Sequence, residues 1–103
     1  MSQEVVERRI RVTKAEGLHI RPAADIARVA LAYSSEVTLI FGGQRADAKS
    51  AIEMLTLSVP QGAELVIEAR GPDAAAAADA IVRVLAQELE EGGLGQGAAA
   101  TNN

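Results

Sequence analysis

The chain has 103 residues, carries 10 Lys and Arg against 14 Asp and Glu for a formal net charge of −4, and is 49% hydrophobic. That length fits one small globular domain, and the acid excess argues against a nucleic-acid binder, because no basic stripe is available to neutralise phosphates. With no cysteine and a single histidine, His19, disulfides and thiol catalysis are ruled out and no metal site or cofactor is expected.

No apolar run approaches the roughly 18 residues that mark a membrane span. The N-terminal MSQEVVERR lacks the basic, apolar, small-residue order of a signal peptide. A soluble cytoplasmic protein with no membrane insertion is expected. Tyr33 and Phe41 are the two residues with large aromatic rings, so the core must be built from Val, Ile, Leu, Met and Ala.

From Val5 to Thr13, Val6, Ile10 and Val12 share one parity and Glu7, Arg9 and Arg11 the other, the alternation of a half-buried strand broken by Arg8. After Gly17 the period changes. Ile26, Val29, Ala30 and Tyr33 fall at helical spacing while Arg21, Asp25 and Arg28 line another face, predicting an amphipathic helix over about Ile20–Ala32. Pro22 suits the first helical turn, which places His19 at or beside the N-cap.

Glu36–Phe41 alternates again, and Gly42-Gly43 permits a turn into a short strand over Gln44–Ala48. Ser50–Ser58 reads as a short helix capped by Ser50, with Glu53 in capping-box position, ended by Pro60-Gln61-Gly62. Glu64–Arg70 places Leu65, Ile67 and Ala69 on one face of a fourth strand. Gly71-Pro72-Asp73 then introduces a helix with the seam Ala78, Ile81, Val82, Leu85 and Leu89, stopped by Gly92-Gly93. The tail LGQGAAATNN has no periodicity and too little apolar content to bury. The order β-α-β-β-α-β-α points to an α+β domain over residues 1–91, four strands with helices on one face, followed by a disordered tail over 92–103.

A lone histidine is more often incidental than functional, but this one has particular neighbours. A helix N-terminus offers unpaired amides and the positive end of the dipole, a site prepared for an anion. Arg21 adds a fork of donors. An imidazole held there can act as a nucleophile toward phosphorus while the amides of Ile20 and Arg21 receive phosphoryl oxygens. There is no Gly-rich phosphate loop and no convincing pair of metal-binding carboxylates, so the chain needs donor and acceptor proteins instead of a nucleotide. A small serine hydrolase would have Ser34, Ser35, Ser50 or Ser58 to draw on, but no G-x-S-x-G elbow is present.

GLHIRPA (Gly17–Ala23) resembles the active-site motif of the HPr family, the histidine phosphocarriers of the phosphoenolpyruvate-dependent sugar phosphotransferase system. ADAKSAIEMLTL (Ala46–Leu57) resembles that family's second signature around a serine. The resemblance covers about Val5 to Glu91. It implies an open-faced β-sandwich, a four-stranded antiparallel sheet covered on one face by three helices. It further implies that His19 is phosphorylated on Nδ1 by the system's first enzyme, that Arg21 accompanies the phosphoryl group, and that sugar-specific acceptor domains receive it. The chain would then be a phosphoryl-transfer intermediate, not an autonomous enzyme. Ser50 matches a serine that a dedicated ATP-dependent kinase/phosphorylase modifies in some bacteria, and Arg28 matches a partner-facing position.

The pattern around Ser50 adds an independent point. Ala51, Ile52 and Leu55 lie on one side of the short helix and Met54 and Leu57 on another, so it is apolar nearly all round yet cannot be buried all round in so small a domain. One side is expected to be exposed, forming with Arg28 a docking surface. Three residues depart from the family pattern. Ile20 replaces a small or hydroxylated residue beside the ring, Glu16 occupies a position that is often Asn, Thr or Ser, and Glu53 stands where glycine is frequent. An inward-pointing Glu16 would favour the imidazolium and oppose an incoming phosphoryl dianion. An alternative role is a regulatory module, of nitrogen-branch or catabolite-control type, whose phosphorylation state other proteins read.

Overall fold

The computed structural model describes residues 4–90; the expected disordered tail and the Gly92-Gly93 helix stop lie outside the described residues. In chain order the elements are β1 (Glu4–Arg11), α1 (Ile20–Ala30), β2 (Glu36–Phe41), β3 (Gln44–Asp47), α2 (Ala51–Leu55), β4 (Glu64–Gly71) and α3 (Ala74–Leu89). The strands form one sheet in the order β1-β4-β2-β3, every neighbouring pair antiparallel. The fold is the α+β open-faced sandwich.

Alternation decides which face is covered. Ile10 of β1, Val37 and Leu39 of β2, Ala46 of β3 and Leu65, Ile67 and Ala69 of β4 are buried and meet Ile26, Met54, Ile81, Leu85 and Leu89 from the helices. The opposite face is charged and wet, with Arg9 paired to Glu7 at 2.6 Å and to Glu64 at 3.3 Å, and Arg45 paired to Glu68. Arg8, which interrupts the alternation of β1, is on the covered parity because its guanidinium reaches Asp79 of α3 at 3.0 Å. An ion pair at the rim substitutes there for an apolar contact.

Two helices are shorter than their periodicity suggests. α1 stops at Ala30 because the chain tightens, with Ala32 N–H donating to the Val29 carbonyl and Tyr33 N–H to that of Ala30. α2 closes after Leu55 in the same way, through i→i+3 bonds from Thr56, Leu57 and Ser58, and Ser58 adopts a left-handed φ of 53°. Apolar spacing continues through such turns, so periodicity overruns the helix.

α3 starts at N-cap Asp73, whose carboxylate does not cap its own helix. It accepts instead from the Ser34 and Ser35 amides at 3.0 and 2.8 Å and from the Ser35 hydroxyl. The Asp73 amide donates to Ser35 Oγ at 3.0 Å. These bonds tie the entrance of β2 to the start of α3, and they account for Ser35 being buried. The Ser35 hydroxyl, followed by the Ser34 amide, holds the Asp73 carboxyl below the usual carboxylate range.

Candidate functional site

The segment that delivers His19 is fixed at both sides. Gly17 has φ 63°, and a Cβ on it would lie 2.3 Å from the Val59 carbonyl oxygen, so no side chain fits. That close approach lets Leu18 N–H donate to the same carbonyl at 3.0 Å. Upstream, the Thr13 and Lys14 amides both donate to the Leu89 carbonyl at the end of α3, at 2.8 and 3.0 Å. Leu18 and Leu89 are buried beneath these bonds.

His19 is the N-cap of α1, in extended conformation (φ −120°, ψ −171°), and its side chain makes no capping hydrogen bond. The His19 carbonyl accepts from Ala23 N–H at 3.1 Å, which starts the helix. Pro22 is the third helical residue and has no N–H. The amides of Ile20 and Arg21 therefore remain as the first two donors of the helix without a carbonyl partner. A half-buried imidazole thus stands at the positive end of an 11-residue helix, beside two free N–H groups.

Arg21 is extended into solvent, its side chain 71% exposed, with Nη2 at 3.7 Å from Glu88 Oε1 of α3. Arg28 pairs with Asp25 one turn away at 3.2 Å. The hydrogen bond from Arg28, and after it one with the Glu88 carboxyl, hold the Asp25 carboxyl below its ordinary range. Glu16 is exposed and forms no ion pair with His19 among the described residues. No group of acidic and histidine side chains capable of holding a metal occurs among the described residues.

Ser50 caps α2, its hydroxyl accepting from Glu53 N–H at 3.2 Å. The expected capping box closes one way only. Glu53 turns its carboxylate to the Asp47 amide at 3.0 Å, leaving the Ser50 amide to the Asp47 carbonyl. α2 packs Met54 into the core and leaves Ile52 75% exposed, while Ala51 and Leu55 are half-buried against the core. Ile20 at 59% and Leu31 at 64% are also exposed apolar side chains on the helical side. Leu31 and Glu88 were not anticipated from sequence. A single exposed leucine leaves no periodic signal, and the place of Glu88 depends on where the end of α3 docks.

Residues 6–87 match the family model described as the PTS HPr component phosphorylation site. The chain belongs to the HPr family. It is 40% identical over 76 residues to the phosphocarrier protein HPr of Haemophilus influenzae, a match covering 74% of this chain and 89% of that protein. Among solved structures, the histidine-containing phosphocarrier protein of Mycoplasma matches with TM-score 0.77 and 30% identity over 80% of this chain and 93% of that one. The HPr of Bacillus anthracis matches with TM-score 0.72 and 28% identity over 78% and 95%. An HPr-family phosphocarrier of the phosphotransferase system works with that system's enzymes, and no helix among the described residues is long and apolar enough to cross a membrane.

Proposed function

We propose that His19 is the phosphoryl acceptor: the phosphoenolpyruvate-charged first enzyme of the phosphotransferase system loads it, and a sugar-specific acceptor domain unloads it. The observation that supports this most is the pairing of an imidazole free of side-chain hydrogen bonds with two unpartnered amides, Ile20 and Arg21, at one helix N-terminus. In loading, a ring nitrogen of His19 attacks phosphorus and the bond to the charged partner breaks, the partner keeping the electron pair. The two amides and Arg21 receive the phosphoryl oxygens, compensating charge the buried side of the site cannot. Unloading reverses the roles, so the protein has no turnover of its own.

Two macromolecules must reach the same ring in turn, which calls for a surface that docks without locking. Ile52 and Ile20, with Ala51 and Leu55 behind and Arg28 on the polar side, supply an apolar patch with a cationic rim. Ser50 is proposed as a regulatory site for a serine kinase/phosphorylase: a phosphate at the N-cap would sit at the positive end of α2, in place of the hydroxyl that now caps it. Such a carrier would operate in the cytoplasm.

The test is incubation of the purified protein with phosphoenolpyruvate and the first enzyme, followed by intact mass before and after mild acid. One acid-labile phosphoryl group is expected, and none on His19→Ala. Loading of His19→Ala would refute the assignment.

A further inference from the structure

We propose that Glu53 opposes phosphorylation of Ser50, so that a carboxylate built into the same helical turn keeps the occupancy of this serine low. This rests on the reading of Ser50 as a kinase target. The turn that carries Ser50 is closed twice at residue 47: the Ser50 amide donates to the Asp47 carbonyl at 3.0 Å, and the Lys49 amide to the Asp47 carboxylate at 2.9 Å. Glu53 spans this turn. Its amide donates to Ser50 Oγ at 3.2 Å while its carboxylate accepts from the Asp47 amide at 3.0 Å. The ends of such a four-residue turn lie within about 7 Å of one another. The carboxylate is therefore held within about a Debye length of Ser50, roughly 8 Å at physiological salt.

Compensating charge is committed elsewhere. The cavity that Glu53 lines also carries two further acids, Glu36 and Asp47, and two cations, Arg45 and Lys49. Arg45 is paired with Glu68 on the open face of the sheet, and Lys49 Nζ donates to the Tyr33 carbonyl beyond α1 at 2.9 Å. Phosphorylation bonds Ser50 Oγ to the γ-phosphorus of ATP, breaks the bond to the β-phosphoryl oxygen with its electron pair going to ADP, and releases the hydroxyl proton to a base of the kinase. It adds nearly two negative charges beside a fixed third. Repulsion at that separation in a water-like dielectric shifts an equilibrium by about two- to fivefold.

The experiment equilibrates the full-length protein and Glu53→Gln with a competent serine kinase at fixed ATP and ADP, and measures the phosphorylated fraction by intact mass with peptide mapping to Ser50. Glutamine keeps an oxygen for the Asp47 amide, so an unchanged urea midpoint is expected. Glu53→Gln is expected to raise the phosphorylation equilibrium constant by about two- to fivefold. Its phosphoserine, followed by ³¹P NMR, is expected to bind a second proton more weakly by the same factor, because a neighbouring carboxylate favours the protonated phosphate. Both differences should collapse in ~1 M salt, where the Debye length is about 3 Å. Equal constants in the two proteins overturn the proposal, as does a difference that survives high salt or an unaltered second protonation. Absence of phosphate on Ser50 in both proteins, with a kinase that modifies its own substrate, would instead overturn the reading of Ser50 as a regulatory site.

Discussion

Replacing Gly17 by alanine tests whether the approach to His19 is built as described, and Gly42 provides an internal control. Both glycines are left-handed, with φ of 63° and 59°, but a Cβ on Gly42 meets nothing within 4 Å whereas on Gly17 it meets the Val59 carbonyl oxygen at 2.3 Å. Holding alanine in that backbone region costs about 1–2 kcal/mol, partly offset by about 0.4–1 kcal/mol from a stiffer unfolded chain, so Gly42→Ala should lose roughly 1 kcal/mol or less. At Gly17 the segment must also move off Val59. The Leu18–Val59 hydrogen bond then breaks and leaves a buried carbonyl unpaired, adding about 1–3 kcal/mol. A total of roughly 2–4 kcal/mol corresponds to a fall in Tm of order 10 °C or more, at about 4–8 °C per kcal/mol for a domain of this size. Urea and thermal unfolding of the two variants measure the difference, and the loading rate of His19 should fall in Gly17→Ala alone. Equal losses in the two variants would refute the argument, because they would mean that backbone conformation is the whole cost.

Ile52→Ala should leave stability within about 0.5 kcal/mol while slowing loading by the first enzyme, whereas Met54→Ala should cost about 2–5 kcal/mol; matched unfolding and loading assays show the split, and an unaffected loading rate in Ile52→Ala would remove it from the docking patch. Ser50→Ala should cost about 1 kcal/mol through the lost cap and leave loading at His19 intact. Incubating the parent protein with a competent serine kinase and ATP should label Ser50, and an unmodified Ser50 would end the regulatory proposal. The Asp73 carboxyl is held below its ordinary range, so the stability it contributes is present above the unfolded carboxylate range. It is lost as pH falls below about 4 and through the lower folded value. Asp73→Asn should therefore be less stable than the parent at neutral pH and show a shallower loss in acid; parallel curves of urea midpoint against pH would contradict this.

How much of this was legible in the sequence follows from which interactions are local. The strand parities of Val37, Leu39, Leu65 and Ile67, the helix seam through Ile81, Leu85 and Leu89, and the split of Met54 from Ile52 are set by periodicity, and all lie where periodicity puts them. Pro22 and Ser50 marked helix starts by local chemistry, and His19 proved to be the N-cap itself. The ends of α1 and α2 were less legible, because a tightening turn keeps the apolar spacing after the α-helical bonds have stopped. Contacts between distant segments left no trace at all. Asp73 binding the Ser34–Ser35 corner, Arg8 reaching Asp79 and Glu88 facing Arg21 each join residues that only the sheet order and helix packing bring together.

In the proposed loaded state, a phosphoryl group on His19 is received by the amides of Ile20 and Arg21. The most direct measurement is a comparison of ¹H–¹⁵N spectra of the uniformly labelled protein before and after loading by the first enzyme and phosphoenolpyruvate. The Ile20 and Arg21 amide protons are expected to move farthest, downfield as their N–H groups bind phosphoryl oxygens, together with a His19 ring-nitrogen shift at Nδ1. Largest shifts elsewhere, with Ile20 and Arg21 unmoved in a loaded sample, would contradict it.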